Sequence, residues 1–199
     1  MNGRYAFVQD DYPDCLEGLR RVAAVFVAWR RPIERVIAPS DRASAILAAA
    51  AAEVLGCPVA SLDAAAGLVV VHDLDRLAPA DLAALRAADP ARPLYAHSAA
   101  WTEERPVAAD LVMRLCQHHR APWDARIGVD PATGAPRELP PDSASDAELA
   151  SRIVRASLAD DALDDLPALL ALAEVARPAV AGARSRAWAG SPVPSLRFA

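Results

Sequence analysis

Short apolar runs alternate with helical patterns along the first hundred residues. Strand-like runs occupy residues 5–8, 34–38, 58–60, 67–71 and 92–97, and the run at 67–71 is apolar throughout. Continuous apolar character is typical of a strand that is buried on both faces. Strands that alternate with helices of about 10–15 residues indicate βαβ units and a parallel sheet.

The segments between these strands carry helix start and stop signals. Pro13 suits the first turn of one helix, and Pro32 lies just beyond its end. Ser40 is the predicted N-cap of a second, alanine-rich helix, and Gly56 is its predicted C-terminal cap. Pro79 lies in the opening turn of a third helix. These signals predict three helices that connect the strands of the sheet.

A fourth helix is predicted after Pro106. Leu111 and Leu115 recur there at helical spacing, which indicates one apolar face. His118 and His119 would then lie at the helix C-terminus, where the dipole favours a protonated imidazole. A metal-binding pair on a helix needs a spacing of four residues, so adjacent histidines predict no metal site.

The pattern changes beyond residue 120, where several prolines exclude a long helix. Residues 127–135 predict a β-hairpin, with Gly134 in the left-handed position of its turn. Ser145 and Glu148 form a capping-box pattern that begins the first of two C-terminal helices. The predicted fold is α/β: a small, mostly parallel sheet with helices on both faces, a β-hairpin and two C-terminal helices. The predicted divisions are a sheet domain at 1–120, a hairpin and helical appendage at 121–177 and a flexible tail at 178–199.

The basic residues exclude several classes of enzyme. All 21 basic side chains are arginine, and the sequence contains no lysine. A Schiff-base lysine, a pyridoxal-phosphate anchor and a Walker-A phosphate loop all need lysine, so these chemistries are excluded. The abundance of alanine, arginine and proline is typical of a GC-rich genome, and we expect a bacterial source.

Charge and cysteine content indicate the compartment and the partners. The net charge of −5 gives no electrostatic reason to expect a nucleic acid or an anionic membrane as a partner. No apolar stretch reaches the ~20 residues that span a bilayer, and the sequence does not open on a signal-peptide pattern. Cys15, Cys57 and Cys116 are odd in number and lack metal-ligand spacing, which predicts a reducing, cytoplasmic location.

Polar residues at the ends of the predicted strands are the first candidates for a site, because ligands of open parallel sheets bind there. Asp10 and His97 lie at two of these ends. Ser40, Asp41 and Arg42 lie at a third and open a helix, where free amides and a guanidinium can bind a phosphate or a carboxylate. The structural alternative for this segment is a capped helix with an exposed arginine.

His72, Asp73 and Asp75 follow the strongest strand and form the sharpest cluster. An imidazole beside carboxylates suits acid–base catalysis. Asp73 and Asp75 also suit a divalent metal, since residues two apart on an extended segment face the same side. The structural alternative places Asp75 at the turn into the next helix and His72 in a hydrogen bond at the sheet edge.

Residues 36–42, an alanine-rich helix, residues 55–59 (LGCPV) and residues 68–73 (LVVVHD) form a pattern that resembles the type I phosphoribosyltransferase core. The resemblance covers about residues 34–97. It implies that His72 and Asp73 occupy the positions of the two acidic residues that end the family's apolar strand. Residues 74–79 have no threonine, serine or glycine where the family cradles the 5′-phosphate of phosphoribosyl pyrophosphate. The resemblance therefore implies a relative that has lost the phosphate loop and catalysis.

The end of the chain has a second resemblance. Residues 191–198 (SPVPSLRF), after a spacer of small residues and proline, are similar to the docking tails of encapsulin cargo proteins. Those tails usually carry a glycine before the Ser-Leu pair, where this chain has Pro194. A short apolar motif on a flexible spacer is in any case suited to docking on another protein.

Two functions of different class follow from these observations. The first, which we favour on the sequence, is a non-catalytic interaction or scaffold protein with protein partners, since the phosphate loop and lysine are missing. The second is an enzyme or sensor that binds a small phosphorylated or carboxylated ligand at the strand ends. In the second, Ser40 and Arg42 hold the anion, and His72, Asp73 and Asp75 supply metal or acid–base groups. No motif identifies a cofactor, and Mg²⁺ is expected if the ligand is phosphorylated.

Overall fold

The computed structural model describes residues 5–87, 89–100 and 107–177. One sheet contains six strands: β1 Tyr5–Gln9, β2 Val36–Ala38, β3 Val59–Ser61, β4 Leu68–Asp73, β5 Leu94–Ala99 and β6 Leu111–Arg120. Their order is β1-β6-β5-β4-β2-β3, and all neighbouring pairs are parallel. Two further strands, β7 Arg126–Val129 and β8 Pro136–Leu139, form a separate antiparallel hairpin, with Gly134 at φ +69° in its turn, as predicted.

Helices cover both faces of this sheet, which confirms the predicted fold class. They are α1 Tyr12–Ala28, α2 Arg42–Leu55, α3 Pro79–Leu85, α4 Asp146–Val154 and α5 Leu166–Ala176. Buried residues of α1, α2, α4 and α5 pack with Leu68 and Val70 on one face, whereas Leu85 of α3 packs with Val69 and Val71 on the other. Alternate residues of β4 thus serve two cores, which explains its uninterrupted apolar sequence. The C-terminal helices share the first of these cores with α1 and α2.

The helix ends follow the sequence signals, with one correction. Asp11 caps α1 and forms a reciprocal capping box with Asp14. Gly56 ends α2 in the left-handed conformation, at φ 68°. The N-cap of α2 is Asp41 and not Ser40, because the Asp41 carboxylate accepts the hydrogen bond of the Ser44 amide at 2.9 Å. Asp41 therefore caps α2 in place of Ser40, for which the sequence predicts this role.

The predicted fourth helix is wrong, since Leu111–Arg120 is strand β6. A spacing of four residues fits both periods: Leu111 and Leu115 lie one turn apart on a helix and an even number of residues apart on a strand. The Leu94 amide donates a hydrogen bond to the Asp110 carboxylate and so ties the start of β6 to β5. The residue pair at 118–119 consequently lies on a strand and not at a helix C-terminus.

Strand β6 connects two parts of the sheet. Its first half pairs with β5, with Ser98 beside Arg114, and its second half pairs with β1, with Val8 beside His119. The amide of Asp10 extends the second pairing by a 3.0 Å hydrogen bond to the Arg120 carbonyl. The end of β1 is thereby held against the end of β6.

The flexible tail predicted at 178–199, with its docking-like motif, lies outside the described residues. Of the helices that the structure describes, none combines the length and the apolar character needed to cross a bilayer.

Candidate metal centre

A buried carboxylate at the end of β1 is the centre of a histidine cluster. Asp10 Oδ2 lies 2.7 Å from His97 Nε2 and 2.7 Å from His119 Nε2. All three side chains are almost completely withdrawn from solvent. One buried carboxylate oxygen therefore lies within hydrogen-bonding distance of two imidazole nitrogens.

A third imidazole lies against the same group. His72 Nε2 is 3.9 Å from Asp10 Oδ2, and the His72 side chain is completely buried. Its ring centroid lies 4.8 Å from that of His119, 5.6 Å from that of His97 and 5.3 Å from that of Trp123. Among the described residues, neither ring nitrogen of His72 has a hydrogen-bond partner. Buried polar atoms in native proteins are nearly always paired, so these two nitrogens indicate a missing partner.

The sheet brings these residues together from four distant parts of the sequence. The register sets Val71 beside Ala96 and Asp73 beside Ser98, which places His72 level with His97 on neighbouring strands. Both histidines lie on the face covered by α1, two residues after Val70 and Tyr95 respectively. His119 lies on the second half of β6. Asp10 comes directly after β1, the strand that pairs with this half of β6.

Helix α1 packs against the cluster at Gly18. A Cβ atom on Gly18 would lie 2.5 Å from Tyr95 Oη and 2.9 Å from His97 Nδ1, closer than real Cβ contacts allow. Tyr95 Oη in turn lies 2.9 Å from His97 Nδ1. The missing side chain at position 18 thus gives Tyr95 and His97 the space in which they meet.

The electrostatics of the cluster keep Asp10 ionised. Burial by itself raises the pKa of Asp10, but the His97 charge and the hydrogen bonds from His119 and His97 outweigh it and hold that pKa well below its ordinary value. The pKa of His72 is lowered well below its ordinary value, by burial and then by the neighbouring His119 and His97. A carboxylate beside a neutral imidazole is the protonation state that a metal ion requires of its ligands.

Two overlapping sets of side chains lie close enough together to share a metal ion. The ligand atoms of Asp10, His97 and His119 lie within 4.8 Å of one another, and so do those of Asp10, Cys15 and His72. Carboxylate oxygen, imidazole nitrogen and thiolate sulfur are the usual ligands of Zn²⁺. The cluster is therefore a candidate centre for a divalent transition metal.

A small cavity adjoins the cluster. Its volume is about 180 Å³, and His119 belongs to both. Gln117 contributes a buried Nε2 that has no hydrogen-bond partner among the described residues. Burial raises the pKa of Cys116 to about 11, so this thiol stays protonated and is a poor nucleophile at neutral pH. The lining residues are Asp73, Asp75, Arg76, Ser98, Cys116, Gln117, His118 and His119.

The predicted site residues divide into three groups. Asp10, His72 and His97 meet in the histidine cluster, as their positions at strand ends led us to expect. Asp73 and Asp75 lie beside it, on the wall of the cavity. They do not share one side of an extended segment, because a 3₁₀ turn at Leu74–Arg76 follows Asp73 directly.

These two carboxylates have partners in the backbone. Asp73 accepts a hydrogen bond from the Asp75 amide at 3.0 Å, and Asp75 accepts one from the Ala100 amide at 2.7 Å. Asp75 therefore helps to form the turn that leaves β4, as the structural alternative proposed. A metal or acid–base role for either carboxylate stays a prediction.

The third group, Ser40, Asp41 and Arg42, makes contacts within the protein. Ser40 donates to Asp81 at 2.8 Å, and the Arg42 guanidinium bonds to Asp146 at 2.8 Å. An anion at this helix start would have to compete with these two carboxylates. Its binding there stays a prediction.

Two members of the cluster were not identified as site residues from the sequence. His119 was assigned to a helix end, where its neighbour His118 made the pair look structural. Cys15 lies in the first turns of α1 with no sequence neighbour that suggests a ligand. The signal that identifies His119 is its place near the end of a strand whose end adjoins β1.

Comparison with models of protein families, with curated proteins and with solved structures finds no match to this chain.

Proposed function

We propose that this protein binds a divalent transition metal ion through Asp10, His97 and His119 and uses it to hold a small anionic ligand in the adjacent cavity. The observation that carries the proposal is the buried carboxylate oxygen that two Nε2 atoms approach at 2.7 Å. The function belongs to the class of metal-dependent enzymes or sensors.

The cluster fits an ion with small movements. A tetrahedral Zn²⁺ with bonds of about 2.0 Å keeps its ligand atoms about 3.3 Å apart. The two oxygen–nitrogen distances at Asp10 Oδ2 are both 2.7 Å. Each imidazole would therefore have to move away from the carboxylate by about 0.6 Å to admit the ion. A purely structural network would be expected to pair its buried nitrogens, whereas those of His72 have no hydrogen bond within the described part of the chain.

The position of His119 connects the ion to a ligand. Three protein ligands leave a fourth coordination position open, which is typical of catalytic zinc sites. His119 also lines the 180 Å³ cavity, so an ion held by His119 would lie next to a molecule bound there. A carboxylate or phosphate oxygen suits a divalent cation, and the unpaired Gln117 Nε2 offers it a hydrogen bond.

Metal binding is tested on purified protein stripped with a chelator and loaded with Zn²⁺. We expect the wild type to retain zinc after desalting and the His119→Gln and His97→Gln variants to lose it. His118→Gln is the matched control, because His118 is exposed and adjacent on the same strand. Equal zinc retention in His119→Gln, His97→Gln and the wild type would refute the proposal, with circular dichroism confirming that each variant is folded.

The ligand class is tested by thermal shift on the zinc-loaded protein. A panel of sugar phosphates, phosphoribosyl pyrophosphate, nucleotides and small carboxylates addresses both the anion and the phosphoribosyltransferase resemblance, which remains a proposal. A ligand at about 100 times its dissociation constant adds about 2.7 kcal/mol of stability. We expect a stabilisation that disappears in the chelated protein, and a shift that survives chelation would place the ligand elsewhere.

A protein-interaction function is the second candidate, because large apolar side chains are exposed outside the sheet. Ile127 and Val129 of the hairpin are 63% and 68% exposed, and Leu172 and Val175 of α5 are 68% and 82% exposed. Exposed apolar residues that cluster on one element favour association. Sedimentation of the wild type and of an Ile127→Ser, Val129→Ser double variant tests self-association. Monomers in both would contradict self-association through the hairpin.

We also propose a cytoplasmic location. Cysteines remain free thiols in a reducing compartment, and the three cysteines of the described residues are all free.

A further inference from the structure

We infer that Asp10 also binds a second divalent metal ion, which Cys15 and His72 hold together with it. The inference rests on the proposed function, because it takes the ion at Asp10, His97 and His119 as the first of a pair. It assigns roles to two buried side chains that the first ion does not use.

The second set of side chains also lies close enough together to share an ion. The ligand atoms of Asp10, Cys15 and His72 lie within 4.8 Å of one another, and all three side chains are buried. The set combines a carboxylate, a thiol and an imidazole, which form a common zinc donor set once the thiol is deprotonated.

Unpaired atoms point to this second position independently of the distances. Asp10 Oδ2 already receives His97 and His119, but Asp10 Oδ1 is buried without a hydrogen-bond partner among the described residues. Both ring nitrogens of His72 are also buried without a hydrogen-bond partner in the described part of the chain. His72 Nε2 lies 3.9 Å from Asp10 Oδ2, so an ion between the carboxylate and the His72 ring would give one imidazole nitrogen the partner that it lacks.

The charges around Asp10 fix the order of binding. Arg114 Nε lies 3.5 Å from Asp10 Oδ1, and the Arg114 guanidinium also contacts the Asp14 carboxylate. The arginine and the first ion would both oppose a second cation at this carboxylate, while Asp14 offsets part of the arginine charge. The ion at Cys15 and His72 must therefore bind after, and more weakly than, the ion at His97 and His119.

The second binding step also displaces a proton. As the bond between sulfur and metal forms, the Cys15 Sγ–H bond breaks and its proton passes to the solvent. No electron is transferred, so the step needs neither oxidant nor reductant. Two ions about 3.5–4 Å apart are a recurrent arrangement for activating water and clamping a phosphate or carboxylate oxygen.

Cobalt titration of the chelated full-length protein tests the inference. Co²⁺ replaces Zn²⁺ in such sites, and a cobalt–thiolate bond adds a near-ultraviolet charge-transfer band to the visible ligand-field bands. We expect two Co²⁺ ions per chain, with the ligand-field bands appearing first and the charge-transfer band following at the second equivalent. Cys15→Ser should abolish the charge-transfer band and keep one ion bound.

Two further variants provide controls. Cys116→Ser is matched to Cys15→Ser, since Cys116 is also buried but belongs to the cavity wall, and it should leave both equivalents unchanged. His72→Gln should remove the second equivalent and retain the first. Near-ultraviolet circular dichroism of each metal-free variant establishes that its core is intact.

The outcomes separate the two proposals. A single Co²⁺ ion that depends on His97 and His119, with no charge-transfer band, overturns the second ion and leaves the proposed function standing. A charge-transfer band that persists in Cys15→Ser also overturns it. If the wild type binds no Co²⁺ or Zn²⁺, the proposed function and this inference fail together. The wild-type stoichiometry decides the question even if a variant fails to fold.

Discussion

The contact between α1 and the histidine cluster makes Gly18→Ala a sharp test of the packing. The added methyl group would lie 2.5 Å from Tyr95 Oη and 2.9 Å from His97 Nδ1, both of which are buried. Because Gly18 lies inside a helix, the substitution by itself should stabilise by about 1 kcal/mol through helix propensity. The outcome therefore tells which of two opposed effects is larger.

The magnitude follows from the contacts. Overpacking a core costs about 1–3 kcal/mol, and displacing Tyr95 from His97 costs a buried hydrogen bond worth about 1 kcal/mol. After the gain in helix propensity, we expect a net loss of about 2 kcal/mol. In a protein of this size that loss lowers the melting temperature by about 4–8 °C.

Urea denaturation of the wild type and three variants measures this effect. Gly18→Ala, Tyr95→Phe, the double variant and the wild type form a cycle in which Tyr95→Phe removes the atom nearest to the new methyl group. We expect Gly18→Ala to cost less in the Tyr95→Phe background than in the wild type. A Gly18→Ala protein as stable as the wild type, or more stable, would refute the close packing of α1 on the cluster.

Three further predictions address the cap, the strained glycine and the buried imidazole. Asp41→Ala should cost about 1 kcal/mol of stability in urea denaturation, because it removes the cap of α2, whereas Ser40→Ala should leave that cap intact. Gly67→Ala should cost about 2–4 kcal/mol of stability, since the φ of Gly67 is 141° and a Cβ atom there would lie 2.8 Å from a backbone oxygen. Gly134→Ala is the control and should cost about 1 kcal/mol, because a Cβ atom at Gly134 would meet open space. In chelated protein, His72 favours the folded state only while neutral, so its contribution is complete above about pH 6.5 and decreases as the pH falls below that value. His72→Phe should remove up to about 1.4 kcal/mol per pH unit of that acid sensitivity, and an unchanged pH profile of stability would contradict the buried, neutral assignment.

Most of the fold could be predicted because buried elements and helix ends have characteristic residues within a short stretch of sequence. The strand at Leu68–Asp73 is buried along its whole length, and a run of apolar residues is the direct result. Caps at Gly56 and Ser145 mark helix ends through the chemistry of a few neighbouring residues. These signals depend on residues within one or two turns, so they can be recognised without knowing the tertiary structure.

Strand β6 could not be predicted in this way, because its apolar spacing satisfies two periods at once. Leu111 and Leu115 fit a helix face as well as an alternating strand, and local propensity does not decide between them. The decision comes from distant residues: β5 pairs with the first half of β6 and β1 with the second. The error then carried over to His119, whose place in the site depends on the strand assignment.

The partial success at the candidate site has the same physical origin. Asp10, His72 and His97 were identified because each lies at the end of its own strand, and ends of parallel strands meet at one edge of a sheet. Which of them touch, and which fourth side chain joins them, depends on strand order, since β6 lies between β1 and β5. The polar residues at Ser40–Arg42 also follow a strand, yet they bond to Asp81 and Asp146, because β2 lies farther from β1 in the sheet.

Burial of the cluster is itself an argument for a bound cation. An ionised carboxylate in a protein interior is costly unless it is paired, and here the imidazoles of His97 and His119 offer Asp10 two hydrogen bonds. Arg114 lies 3.5 Å from one oxygen of Asp10 but contacts Asp14 as well, so its guanidinium is shared between two carboxylates. A divalent ion at Asp10, His97 and His119 would add positive charge at the point on which the imidazoles converge. The same reasoning predicts that Zn²⁺ raises the melting temperature of the wild type and has no effect on an Asp10→Asn variant, in which that charge is absent.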